Sequence, residues 1–283
     1  DRNNVSKDSI LLGNGSDEVL DLIFRAFCEP NRDNIITLPP TYGMYGVLAN
    51  LNAVENKEVL LNNDFEPNIA QILSEVNENT KIIFLCSPNN PTGNSFSEES
   101  IVTLLKNFNG LVLIDEAYID FSDEQSWIYE LENYPNIIVT QTLSKAVGLA
   151  GIRLGILYAS TEIITVLNKI KPPYNVNSLT QKKAIEELKN IEKINNQVFD
   201  IKLEKVFLLK ELLNIKFVEK VCPSDANFIL IQVDNANKRY QQLLEKGIVI
   251  RNRTSQPLCD NCLRITIGTT TENLKLINTL KQL

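Results

Sequence analysis

The chain has 283 residues, 43% of them hydrophobic and 22% charged, with a formal net charge of -7. That is ample apolar material for one large domain or for a large and a small one, and the acidic balance disfavours a nucleic-acid binder, which presents a basic face. No residue is histidine, which excludes Ser-His-Asp and Cys-His catalysis within the chain and leaves proton transfer to Lys, Asp, Glu, Tyr, Cys or a cofactor.

The first segment with chemical potential is Gly13-Asn14-Gly15-Ser16-Asp17-Glu18, opening a helix expected over 18–27 with Val19, Leu22, Ile23, Ala26 and Phe27 on one face. Ser16 and Asp17 are capping residue types, and the free amides of such a helix start also make an anion site. A strand is predicted over 35–38. It leads into Pro39-Pro40-Thr41-Tyr42-Gly43-Met44-Tyr45 and a helix over 44–51. Tyr42 there suits stacking on a flat ring, or equally a core aromatic after a turn.

Strands follow over 58–61 and 82–86, with a helix over 69–76 between them. Next comes Cys86-Ser87-Pro88-Asn89-Asn90-Pro91-Thr92-Gly93, a rigid turn that can present the Asn90 amide to a ligand or be an ordinary tight turn. A helix over 98–108 precedes an apolar strand over 111–114 that ends in Asp115-Glu116-Ala117-Tyr118. Active-site groups of open α/β sheets collect at such strand ends, and a partly buried Asp115 needs a cationic partner. A solvated acidic pair is the plain alternative.

After a strand over 137–140, the segment 140–153 supplies Thr142, Ser144, Lys145 and Arg153 among small residues. An amine there can form a Schiff base with an aldehyde cofactor, and the hydroxyls and guanidinium can bind phosphate. A solvated loop lysine is the plain alternative.

Another strand is expected over 154–158, and Pro172-Pro173 then breaks the pattern. The alternation up to that point argues for an α/β domain over 1–174 with a mostly parallel sheet and helices on both faces. Beyond it, one long helix over 179–213, strands over 217–221, 227–233, 248–250 and 263–267, and helices over 237–246 and 272–281 argue for a smaller α+β domain over 175–283. Arg251 and Arg264 sit in apolar strand contexts there, a costly placement unless they bind an anion or face water on an edge. Cys259 and Cys262 spell a lone CxxC without the second ligand pair of a zinc site, so no metal is expected. Five scattered cysteines, no signal sequence and no bilayer-spanning run fit a cytoplasmic protein outside the membrane. The start, Asp1-Arg2-Asn3, has neither an initiator methionine nor a signal sequence.

Taken in order, GSDE, PPTYGMY, SPNNPTG, DEAYIDF, TLSKAVGLAGIRLG and LRITIG resemble the fold-type-I pyridoxal-phosphate (PLP) aminotransferases, most closely their histidinol-phosphate branch in histidine biosynthesis. The resemblance implies that Lys145 is the Schiff-base lysine and proton shuttle. It implies that Asp115 pairs with the ring nitrogen, and that Asn90 and Tyr118 donate to the ring's phenolic oxygen. Tyr42 stacks on the ring, while Ser16, Asp17, Thr142, Ser144 and Arg153 hold the cofactor phosphate. Arg264, with Arg251 and bordered by Asn90, clamps the anion of histidinol phosphate, glutamate or 2-oxoglutarate. It further implies a homodimer. Family members begin well before the GSDE segment, with an arm and a tyrosine that reaches the neighbouring subunit's cofactor, and the resemblance implies that this chain lacks that stretch. Transamination of aromatic amino acids, decarboxylation of an amino-acid phosphate and a silent, non-enzymatic fold remain as alternatives.

Overall fold

Short apolar runs need both faces covered, and the computed structural model, which describes residues 5–283, shows how this is done. The start Asp1-Arg2-Asn3 lies outside the described residues. In chain order come β1 (Ile10–Gly13), α1 (Ser16–Phe27), β2 (Asn34–Thr37), α2 (Met44–Leu51), β3 (Glu55–Glu58), α3 (Ile69–Glu75), β4 (Thr80–Cys86), α4 (Glu98–Asn107), β5 (Leu111–Asp115), β6 (Ile137–Thr142), β7 (Gly155–Ala159) and α5 (Thr161–Ile170). The seven strands form one sheet in the order β1-β7-β6-β5-β4-β2-β3. The pairs from β3 to β6 are parallel, and β7 runs antiparallel to both β6 and β1.

Alternate residues of each strand feed opposite layers. Ile36, Ile83, Leu85, Val112, Ile114 and Val139 pack with Ile72 of α3 and Ile101 and Leu104 of α4. Ile35, Ile82, Phe84, Leu113 and Ile138 pack on the other face with Val19 and Ile23 of α1, Leu48 of α2 and Ile164 of α5. Each of these side chains contributes about 1.5–3 kcal/mol of transfer free energy when fully buried, so the two layers clamp the central strands and hold their ends in register.

Several boundaries differ from expectation. β3 lies at Glu55–Glu58 rather than 58–61. It is a polar edge strand paired only with β2, as edge strands commonly are, and Val59 and Leu61 belong to the core just past its end. β1 and α5 were not anticipated; β1 is a four-residue strand ending in glycine, too short to show a period. The helix expected over 179–213 is two, α6 (Ser178–Leu188) and α7 (Ile191–Leu212). Asn190 separates them at φ -101°, ψ 46°, because an Asn side chain competes with the helix for backbone partners.

A second sheet of four antiparallel strands has the order β10-β11-β9-β8, formed by β8 (Val218–Val221), β9 (Phe228–Val233), β10 (Arg251–Asn252) and β11 (Cys262–Thr266). With α8 (Ala236–Glu245) and α9 (Thr270–Leu280) it encloses its own core of Ile229, Ile231, Leu263, Ile265 and Ile277. The apolar run 248–250 is not a strand. Ile250 anchors in that core while Val249 is exposed, and pairing begins only at Arg251. All five cysteines are unpaired and buried. Among the described residues, no helix is long and apolar enough to cross a membrane.

Candidate active site

The register brings chemically active residues to one edge of the large sheet. Gly13, Gly155 and Thr142 are cross-strand neighbours at the ends of β1, β7 and β6, as are Cys86 and Asp115 at the ends of β4 and β5. Side chains leaving the carboxyl ends of parallel strands converge on the crevice beyond them. A cavity of about 410 Å³ opens there, and all of the residues singled out from the sequence line it: Ser16, Asp17, Tyr42, Asn90, Asp115, Tyr118, Thr142, Ser144, Lys145, Arg153, Arg251 and Arg264. The sequence reading missed Cys86, Ala117, Ala150 and Arg253 on its walls.

Asp115 forms the floor. Only 3% of it is exposed. Its Oδ2 accepts from the Tyr45 hydroxyl at 2.8 Å and its Oδ1 from the Ala117 N–H at 3.1 Å. Among the described residues no cation lies within salt-bridge distance, and burial pushes its pKa above the ordinary carboxylate value. Tyr45, itself fully buried against Phe84, was absent from the sequence reading. Burial and the adjacent Asp115 hold its phenol protonated, so its O–H donates to the carboxylate. The neighbouring Glu116 points to the other side of the strand, where it accepts from the Trp127 N–H at 2.7 Å, from Gln141 at 2.8 Å and from Ser126. The acidic pair is therefore one cavity carboxylate and one structural anchor.

Lys145 follows β6 and projects into the cavity with Nζ 5.3 Å from the centre of the Tyr118 ring. Loss of solvation, and then Arg264, lower its pKa below the usual lysine value, with Asp115 opposing. Tyr118 is buried edge-on against Phe228, and burial pushes its phenol up to about 12. Asn89, fully buried, donates to Pro40 O and to Thr92, locking the 86–93 turn onto the 39–45 segment. Next to it, Asn90 Oδ1 accepts from Arg264 Nη1 at 2.6 Å, leaving its amide N–H groups for a ligand.

At the other end of the cavity, Thr142 Oγ1 accepts from the Ser144 N–H at 3.1 Å. The expected cap by Ser16 or Asp17 is not made. Gly15 is the N-cap of α1 at φ 91° without a side-chain cap, and Ser16 is the first helical residue. Close packing explains the glycine: a Cβ on Gly15 would lie 2.5 Å from Arg153 Nη2, and one on Gly155 would lie 2.4 Å from the Gly15 carbonyl carbon. The helix start thus presses against β7 and the guanidinium, with its amides uncapped. Asp17 accepts from Tyr42 at 3.2 Å and lies 3.7 Å from Arg153, so its carboxylate positions both.

The facing wall comes from the small sheet. Arg251 and Arg264 are cross-strand partners, and Arg264 stacks its guanidinium 4.6 Å from the Phe228 ring centre. Buried Nε atoms of Arg253 and Arg264 have no hydrogen-bond partner. Arg253 carried a sequence signal, since residues two apart on an extended segment share a face and Arg251 precedes it by two.

Comparison with known proteins agrees with this geometry. The family described as Aminotransferase class I and II matches residues 2–280. A histidinol-phosphate aminotransferase of Flavobacterium johnsoniae is 69% identical over 281 residues, covering 99% of this chain and 80% of that protein. The crystal structure of the histidinol-phosphate aminotransferase from Clostridium acetobutylicum superposes with a TM-score of 0.90 at 28% identity, covering 98% of this chain and 84% of that one. The Sinorhizobium meliloti histidinol-phosphate aminotransferase in complex with pyridoxal-5'-phosphate has the same fold, with a TM-score of 0.89 at 24% identity over 98% and 77% of the two chains. The chain belongs to the class I and II aminotransferases.

Proposed function

We propose that this chain transfers the amino group of L-histidinol phosphate to 2-oxoglutarate, using pyridoxal 5'-phosphate held by Lys145. The observation that carries this reading is one cavity in which a buried carboxylate without a cation faces a lysine of lowered pKa beneath a wall of arginines. The relatives in F. johnsoniae and C. acetobutylicum bear the matching name.

The residues present fit that cofactor. Asp115 lacks a cation, and a protonated pyridine nitrogen is one. Ser16, Thr142, Ser144 and Arg153, with the uncapped amides of α1, suit a phosphate dianion. Tyr42 would stack on the ring, and Asn90 and Tyr118, which line the same cavity, would donate to its phenolic oxygen. When bound, the cofactor supplies an aldehyde that condenses with amines and a cationic ring that draws electron density from the amine-bearing carbon.

The protein's own groups do the rest. Asp115 remains ionised beside a cation and holds a proton on it. The Lys145 amine, destabilised as a cation by burial and by Arg264, accepts a proton from the substrate carbon and returns it one position away. Arg264, with Arg251 and the Asn90 amide, binds the substrate's anion: the phosphate of histidinol phosphate in one half-reaction and a carboxylate of glutamate or 2-oxoglutarate in the other. Residues 1–174 hold the cofactor as one domain and 175–283 supply the substrate wall as another. The working form is a cytoplasmic homodimer.

Adding PLP to the purified protein is expected to produce a visible absorbance band that is lost in Lys145→Ala, together with turnover by about 10⁴-fold or more. A substrate panel with 2-oxoglutarate decides the donor. A higher kcat/KM for tyrosine or phenylalanine, or carbon dioxide release from an amino-acid phosphate, overturns the histidinol-phosphate assignment.

A further inference from the structure

We infer that Arg253 is a specificity residue that makes the anion clamp prefer a phosphate dianion over a carboxylate. The inference rests on the histidinol-phosphate reading and deepens it. Arg251 and Arg264 sit directly opposite each other across β10 and β11. Like charges opposed in this way are destabilising unless something neutralises them. The Arg253 N–H donates to Cys262 O at 2.8 Å, so the antiparallel pairing continues past Asn252 and holds Arg253 on the same face as Arg251. All three guanidiniums line the one cavity, and among the described residues none has a carboxylate within salt-bridge distance. Arg253 is half-buried, and its Nε is enclosed without an acceptor.

Two guanidiniums already outweigh the single charge of a carboxylate. A phosphate monoester carries about -1.5 to -2 at neutral pH and has three acceptor oxygens. Coulombic attraction scales with ligand charge, so a third cation stabilises the dianion more than the monoanion. The cofactor's own phosphate site, at Ser144 and Arg153, lies at the strand ends of the large sheet and draws on none of these three residues.

The test is an anion titration of the PLP-saturated enzyme, followed by the rise in Tm, with the visible band monitored to confirm that cofactor stays bound. Inorganic phosphate is the dianion probe and acetate the monoanion probe. In Arg253→Gln the apparent Kd for phosphate is expected to rise about tenfold, the equivalent of one charge-assisted hydrogen bond, with acetate changed less than about twofold. Arg253→Lys keeps the charge but not the fork and is expected to stay within about threefold of wild type for phosphate. Arg253→Met carries the same comparison where the Gln variant does not fold. Equal weakening of both anions, or of neither, overturns the proposal. A wild type that ignores histidinol phosphate yet shows the Arg253-dependent phosphate preference overturns the substrate assignment alone. A wild type that converts histidinol phosphate while Arg253→Gln binds phosphate normally overturns the role of Arg253 alone.

Discussion

The two walls of the cavity differ in how far the protein completes them. On the large-sheet side stand two carboxylates and two cations: Asp17 contacts Tyr42 and Arg153, while Asp115 accepts from Tyr45 and Lys145 lines the same cavity without pairing with it. On the small-sheet side stand Arg251, Arg253 and Arg264, with no carboxylate within salt-bridge distance among the described residues and two buried Nε atoms unpaired. In a chain of net charge -7 this second wall is a local inversion of sign. A wall whose charges balance in number suits, on the function proposed above, a group with its own internal charge balance, such as a heteroaromatic cation with a phosphate. A wall left cationic awaits an anion that comes and goes with each turnover.

The contrast breaks first at Asp115. Asp115→Asn keeps the size and the Tyr45 contact but removes the only carboxylate on the floor. Turnover is expected to fall by about 10³-fold, within the range for a group that stabilises a proton in the reacting system, with cofactor still bound by its visible band. Normal single-turnover rates in that variant would remove Asp115 from the chemistry. The next effect belongs to the opposite wall. Arg264→Ala removes a guanidinium and releases Asn90 from its 2.6 Å bond. The kcat/KM for histidinol phosphate and for glutamate should each drop by about 10²-fold, as when one partner of a buried charged contact is truncated. An effect on only one of them would mean that the two substrates do not share this arginine.

A third, smaller effect tests the outer side of the large-sheet wall. Burial is the leading cause that pushes the Glu116 carboxyl up to about 7, against three donors that favour its ionised form. The folded state therefore holds this proton between about pH 4.5 and 7 while the unfolded chain has released it. Stability from this group is present below the unfolded pKa and lost as pH rises through 7. Urea midpoints should show wild type losing on the order of 2 kcal/mol between pH 5 and 8 beyond what Glu116→Gln loses. Identical pH dependence in both proteins would show that Ser126, Trp127 and Gln141 keep the carboxylate ionised throughout.

Much of the site was legible because its residues leave the ends of apolar strands. A run such as Leu111–Asp115 marks both the strand and the place where it opens into the crevice, and the order of short segments carried the family resemblance. Other features had no local mark. Tyr45 lies on α2, in a segment where Tyr42 drew attention, and only the fold brings its hydroxyl to Asp115, seventy positions on. β3 is polar because it is an edge, so a search for apolar runs slid its boundary onto Val59 and Leu61. The capping assigned to Ser16 and Asp17 failed because capping propensity says nothing of an Arg153 guanidinium that occupies the space beside Gly15. Arg253 is marked by its two-residue spacing from Arg251, but the apolar run 248–250 draws the expected strand upstream of β10 and leaves Arg253 beyond it.

Tyr45 offers the finest adjustment of the comparison, because its hydroxyl holds Asp115 while the residue itself does not line the cavity. In Tyr45→Phe the ring still packs on Phe84, but Asp115 loses its 2.8 Å donor while keeping the Ala117 N–H. A hydrogen bond to a carboxylate favours the ionised form, so its loss raises the Asp115 pKa further. The acid limb of the pH–rate profile should move to higher pH, and turnover near neutrality should fall by about tenfold, the cost of one hydrogen bond to a charged group. KM for either substrate should change little, since the hydroxyl faces the floor and not the arginines. A shift in KM with an unmoved acid limb would mean that Tyr45 merely shapes the cavity and that its hydroxyl does not set the ionisation of Asp115.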